Sequence, residues 1–76
     1  MDSAIDAFTE VIKADPTFFD AYINRGVAHL RNRGLLLAIA DFDAAVDLAP
    51  ERPEAYANRG IAYAMIGQFE RALDDL

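Results

Sequence analysis

Arg25 and Arg59 are each followed, 16 residues later, by an aspartate: Asp41 and Asp75. Equal spacing between opposite charges suggests a guanidinium–carboxylate bridge made twice, between helices that run antiparallel. The alternative is two arginines that extend to solvent along their aliphatic stems. Covalent chemistry finds less material. His29 is the only histidine, Ser3 the only serine, and there is no cysteine. A nucleophile, a base and an orienting group cannot be assembled from that set. Asp41, Asp43 and Asp47 have the spacing D-x-D-x-x-x-D, but a calcium loop needs a third acidic ligand and a glycine where Ala45 and Val46 stand. A solvated helix face is the expected reading of those three. No glycine-rich phosphate loop is present. The sequence therefore predicts no enzyme, no metal and no cofactor.

The arginines belong to a larger duplication. AYINRG at residues 21–26 returns as AYANRG at 55–60, a shift of 34 positions. The same shift superposes Phe8 on Phe42, Pro16 on Pro50 and Ala38 on Ala72. Matched alanines are cheap in a chain holding 15 of them; matched Tyr, Asn, Arg, Gly, Phe and Pro are not. A fixed period of this length marks a stack of supersecondary units.

The elements that carry the repeat read as helices. Ile5, Phe8, Val11 and Ile12 form an apolar stripe over residues 2–14. The residue before Pro16 is pushed out of helical geometry, which ends that helix. Thr17 is expected to cap a second helix running to about Asn32, with Asp20 completing a weak capping box. Gly34 is expected to break it. A third helix is expected over 35–48, with Leu35, Ala38, Ile39, Phe42, Ala45 and Val46 buried. Pro53 suits the first turn of a fourth, reaching about Ile66. Gly67 breaks that one, and residues 69–76 begin a fifth. Short loops make neighbouring helices antiparallel.

The pattern Tyr22-x2-Arg25-Gly26-x2-His29, then Ala38-x3-Phe42, then Pro50 resembles the tetratricopeptide repeat. So does Tyr56-x2-Arg59-Gly60-x2-Tyr63 followed by Ala72-x3-Leu76, and so does Ala4-x3-Phe8 before Pro16. The resemblance covers essentially the whole chain. It implies an all-α fold of antiparallel helix–turn–helix units stacked as a right-handed solenoid. Each unit of that family has a first helix, A, and a second, B. The order expected here is B–A–B–A–half B: a partial unit in 1–16, a complete one in 17–50 and a truncated one in 51–76. Such a phase resembles a piece of a longer array. Arg25 and Arg59 then replace an apolar family position, where a lone charge is expensive to bury, which favours the Arg25–Asp41 and Arg59–Asp75 pairs. Gly26 and Gly60 are expected to lie against Ala38 and Ala72, allowing close approach of helices. His29 is expected as an aromatic stand-in for tyrosine.

The resemblance also implies a concave face, lined by A helices, that receives an extended peptide or a partner helix. The lining positions are Asp20, Ile23, Asn24, Val27, Leu30 and Arg31 on one helix, and Glu54, Ala57, Asn58, Ile61, Ala64 and Met65 on the next. Asn24 and Asn58 are the best candidates, because an amide both donates and accepts and so can bond a peptide main chain. Chaperone-binding members of the family grip a C-terminal carboxylate with lysines, arginine and asparagines. Here the asparagines match, but no lysine does, and Asp20 and Glu54 repel a carboxylate. A neutral or basic protein or peptide is the expected partner. A second expectation is self-association of the isolated piece into a homo-oligomer, through Ile5, Phe8, Ile12, Phe69 and Leu73 at the uncapped ends.

Composition agrees with this class. Apolar residues are 54% of 76, and the net charge is −6. An acidic chain repels phosphate backbones and anionic bilayers, so neither nucleic acid nor membrane is an expected partner. MDSAID lacks the basic start of a signal peptide. Absence of cysteine leaves the compartment open.

Overall fold

The computed structural model describes residues 3–76. Five helices follow one another: α1 (Ser3–Ala14), α2 (Phe19–Arg31), α3 (Leu35–Leu48), α4 (Pro53–Met65) and α5 (Phe69–Asp75). Asp2, the expected first residue of α1, lies outside the described residues. No strand occurs among them. Each helix packs against its chain neighbours, and α2 also touches α4. The backbone occupies 35 × 29 × 13 Å. A thickness of 13 Å accommodates two helix layers, whose axes pack about 8–10 Å apart. One layer is α2 and α4; the other is α1, α3 and α5.

Alanine sets the close spacing of the layers. Ala38, Ala45, Ala55 and Ala62 have no exposed surface, and neither does Phe42. Phe19, Ala45, Ala49 and Ala55 make one cluster; Ala38, Ile39, Phe42 and Ala62 make the other. Ile23 packs on both, so it joins the two along α2. Phe42 also explains Gly26. A Cβ at residue 26 would overlap Cε1 of the Phe42 ring and lie 2.9 Å from its Cδ1 and Cζ. Ala38, the expected partner, lies in the same buried cluster as Phe42 and Ala62. At Gly60 the crowding comes from Leu76 Cγ at 3.0 Å and the Ala72 carbonyl oxygen at 3.2 Å.

The helix ends depart from two expectations. Thr17 does not cap α2. Its hydroxyl and amide both donate to Asp15 Oδ1, at 2.7 and 3.0 Å, and the N-cap residue is Phe18. A carboxylate next to a short polar residue forms its own local turn, and the two bonds hold the Asp15 carboxyl below its ordinary range. Gly34 does not end α2 either. The residue in left-handed geometry is Arg33, at φ 65°, and its counterpart 34 residues on is Gly67, at φ 84°. Both helices close in the same way. Arg33 N–H bonds the Leu30 carbonyl and Gly34 N–H bonds that of His29; Gly67 and Gln68 repeat this on Ala64 and Tyr63. That turn requires φ > 0 at one site only. The glycine of the first unit stands one residue past it.

A side chain at that site costs about 1 kcal/mol relative to glycine. Arg33→Gly is therefore expected to raise stability by about that amount, read as a higher urea midpoint at unchanged slope. An unchanged or lower midpoint contradicts the assignment of strain to residue 33.

Candidate functional site

The outward surface of α2 and α4 is organised by ties that repeat from unit to unit. Tyr22 donates its hydroxyl to the Pro16 carbonyl at 2.9 Å, and Tyr56 donates to that of Pro50 at 3.0 Å. Each ring lies beneath its own unit's arginine, with Arg25 5.9 Å from the Tyr22 centroid and Arg59 5.5 Å from that of Tyr56. The two tyrosines have equivalent surroundings, as stacking of identical units requires.

The arginines reach across three helices. Arg25 Nε donates to Asp41 Oδ2 at 2.9 Å and Nη2 donates to Oδ1 at 2.7 Å. Arg59 makes the same fork with Asp75, at 2.8 Å for both bonds. The remaining nitrogen, Nη1, goes back to the preceding B helix. Arg25 donates there to Thr9 Oγ1 at 3.3 Å, and Arg59 to Asp43 Oδ1 at 2.8 Å. Thr9 and Asp43 are themselves 34 residues apart. Each arginine thus locks its own A and B helices and joins them to the unit before. These bonds hold both guanidinium groups more firmly protonated than usual, the Asp41 and Asp75 hydrogen bonds being the largest cause for each. His29 Nε2 lies 3.7 Å from Asp41 Oδ2, packed beside the pair. With Asp41 and Asp43 engaged by arginines, the acidic residues of α3 form no metal cluster; no group of three or more acidic or histidine side chains among the described residues could hold an ion.

The candidate binding residues divide into three sets. Ile23, Val27 and Leu30 are half-buried, packed on the cluster of Ala38, Ile39 and Phe42 of α3 with Ala62 of α4. Asp20, Asn24, Arg31, Glu54, Ala57, Ile61, Ala64 and Met65 are exposed, and Asn58 is partly so. Asn58 Nδ2 donates to the Glu54 carbonyl of its own helix at 3.0 Å, leaving its Oδ1 for a partner's donor. Asn24 makes no side-chain bond among the described residues.

Arg52 was not anticipated. It precedes α4, outside the A-helix pattern, and its guanidinium lies 4.1 Å from the Phe19 ring centroid. Nη2 bonds Glu54 Oε2 at 2.7 Å, and Nη1 is 3.6 Å from Asp20 Oδ1. The carboxylates of neighbouring A helices are thus bridged by one cation, which also lowers the Glu54 pKa. The run Glu51-Arg52-Pro53-Glu54, an arginine between two acids at a helix start, was the available signal.

The end surfaces are unlike each other. Ile5, Phe8 and Ile12 of α1 are half-buried, not bare as expected, because α2 covers them. Leu73 of α5 and Leu76 at its C-terminal end are 74% and 76% exposed, whereas their counterparts Ile39 and Phe42 are 8% and 0% exposed. Phe69 is exposed with them. The difference is α4, which packs on α3, while no helix among the described residues covers the same side of α5.

The sequence pattern of the family described as tetratricopeptide repeat matches residues 1–51 and again residues 28–76. The chain belongs to the tetratricopeptide-repeat family. A FAM10 family protein of Arabidopsis thaliana is 35% identical over 75 residues, covering 99% of this chain and 17% of its own length. The TPR repeat-containing thioredoxin TDX of the same plant is 33% identical over 75 residues, covering 99% and 20%. The chain therefore spans a fifth or less of these curated relatives. Among solved structures, the first tetratricopeptide-repeat domain of Spaghetti (RPAP3), bound to the HSP90 peptide SRMEEVD, superposes with a TM-score of 0.91 at 32% identity. The match covers 93% of this chain and 56% of that one. No described helix is long and apolar enough to cross a membrane.

Proposed function

We propose that the A helices, α2 and α4, form a concave face that holds a segment of a partner protein, extended or helical, with neutral or basic character. The observation that carries this reading is the pair of outward asparagines, Asn24 and Asn58, one repeat apart on adjacent A helices. Spaced amides of this kind bond a main chain whatever its side chains are. Asn58 commits its nitrogen to the Glu54 carbonyl, which leaves its oxygen as the acceptor for a partner N–H. Asp20 and Glu54 bring two negative charges and Arg52 one positive, so that end of the face keeps an excess of negative charge. Basic groups are favoured there and carboxylates are opposed. Ile61 and Met65 supply exposed apolar contact alongside. The peptide seen on the Spaghetti domain supports the coarser point, that this fold can hold one.

Fluorescence anisotropy with two labelled peptides tests the reading: SRMEEVD, and the same peptide with its acids replaced by lysine. The lysine peptide is expected to bind about tenfold more tightly. The Asn24→Ala/Asn58→Ala variant is expected to weaken that binding by about tenfold. Equal affinity of variant and parent removes the asparagines from the site, and preference for SRMEEVD reverses the charge assignment.

A further inference from the structure

Among the exposed positions at which the turn from α2 to α3 differs from its counterpart between α4 and α5, four hold arginine or leucine. Arg31, Arg33, Leu36 and Leu37 stand where the later unit has Met65, Gly67, Glu70 and Arg71. Leu36 is 74% exposed and Leu37 59%. Their exposure is unlike that of Leu73 and Leu76. Those two occupy core positions that lack a covering helix; Leu36 and Leu37 occupy positions that are charged in the sister unit. Arg31 and Arg33 are exposed and take part in no ion pair among the described residues. Arg33 holds left-handed backbone where the sister unit has glycine. The first turn of α3 contains no acidic residue, whereas α1, α2, α4 and α5 each have one. A chain of net charge −6 thus gathers two unpaired cations and two bare leucines within residues 31–37.

We infer that this turn docks an acidic, leucine-bearing amphipathic segment of a partner protein. Charge complementarity selects the sign: Arg31 and Arg33 attract carboxylates, and the first turn of α3 holds no acid to compete for them. Leu36 and Leu37 supply an apolar contact small enough to stay in water when empty. An anionic bilayer is the weaker occupant. A cation near such a surface contributes about 1 kcal/mol, and two of them act against the net charge of the whole chain. The docking turn is distinct from the asparagine pair, and Arg31, the last residue of α2, lies at the border between the two faces.

The test adds two short synthetic amphipathic helices to the isotope-labelled chain: one of leucine with glutamate, the other of leucine with lysine. Amide shifts centred on residues 31–37 are expected with the glutamate helix alone. Arg31→Glu/Arg33→Glu and Leu36→Glu/Leu37→Arg, the second copying the sister unit, are each expected to weaken that binding about tenfold. Thermal melting of both variants is expected to match the parent, since none of the four side chains is buried. Arg33→Gly, which keeps the turn, is expected to give an intermediate loss. Equal binding of the lysine helix, shifts centred on Asn24 and Asn58, undiminished binding by both double variants, or preference for phosphatidylserine vesicles over the peptide each overturns the inference. The shift map also separates this inference from the concave-face reading, because the two proposals involve different amides.

Discussion

Phe42→Ala is expected to destabilise the chain by about 3–5 kcal/mol, the range for removing a fully buried phenylalanine. At about 0.05–0.15 kcal/mol per residue, 76 residues hold roughly 4–11 kcal/mol in all. One substitution should therefore remove a large part of the fold's stability. The ring packs with Ala38, Ile39 and Ala62 and faces Gly26, so three helices, α2, α3 and α4, lose contact together. Leu76→Ala supplies the contrast. It alters the equivalent position of the next unit, yet that side chain is mostly in water, and the expected cost is below about 1 kcal/mol. Far-UV circular dichroism through a urea titration reads both. Similar midpoints for the two variants contradict the account of coverage by α4. Gly26→Ala refines the test. In the parent, the new methyl meets the ring and costs about 1–3 kcal/mol as overpacking. In the Phe42→Ala background the obstacle is gone, and the helix preference of alanine over glycine, about 1 kcal/mol, should make the same substitution stabilising. A substitution that destabilises equally in both backgrounds locates the conflict elsewhere than the ring.

Asp41→Ala is expected to cost about 3 kcal/mol, because it leaves the Arg25 fork without its acceptor in a largely buried setting. Asp75→Ala is expected to cost less. Arg59 keeps a second carboxylate, Asp43 at 2.8 Å, whereas Arg25 falls back on a neutral hydroxyl at 3.3 Å. The ordering of the two variants is the sharper measurement, since both remove the same group from the same fork. Replacing the pair together, as Arg25→Met/Asp41→Leu, is expected to recover most of the loss, because well-packed apolar residues substitute for a buried ion pair at little cost. If Asp75→Ala proves the more damaging, the backward bond to α3 contributes nothing.

Much of this was legible in the residues alone. The Arg–Asp spacing located both forks, since two charges repeated at one interval on helices of fixed period have few ways to meet. Helix number and order followed from Pro16, Pro50 and the apolar stripes. What escaped was set by how neighbouring helices lean on one another and by the geometry of the turns. The ring of Phe42 pressing on Gly26 depends on how far α3 leans over α2. The half-burial of Ile23, Val27 and Leu30 depends on α3, with Ala62 of α4, lying against them. Arg52 was missed because it sits in a turn and reaches two helices from outside either stripe. Gly34 misled because glycine marks left-handed backbone by preference only, and here an arginine one residue earlier carries it.

The backward bonds of the two arginines grade the molecule mechanically. Where α2 meets α1, the join is a long bond to a hydroxyl; where α4 meets α3, it is a short one between full charges. Bending or pulling should open the first seam before the second, so the solenoid is a spring with its compliant coil at one end. Slower amide exchange at the charged seam than at the neutral one is the sign of it, and the reverse order would deny it.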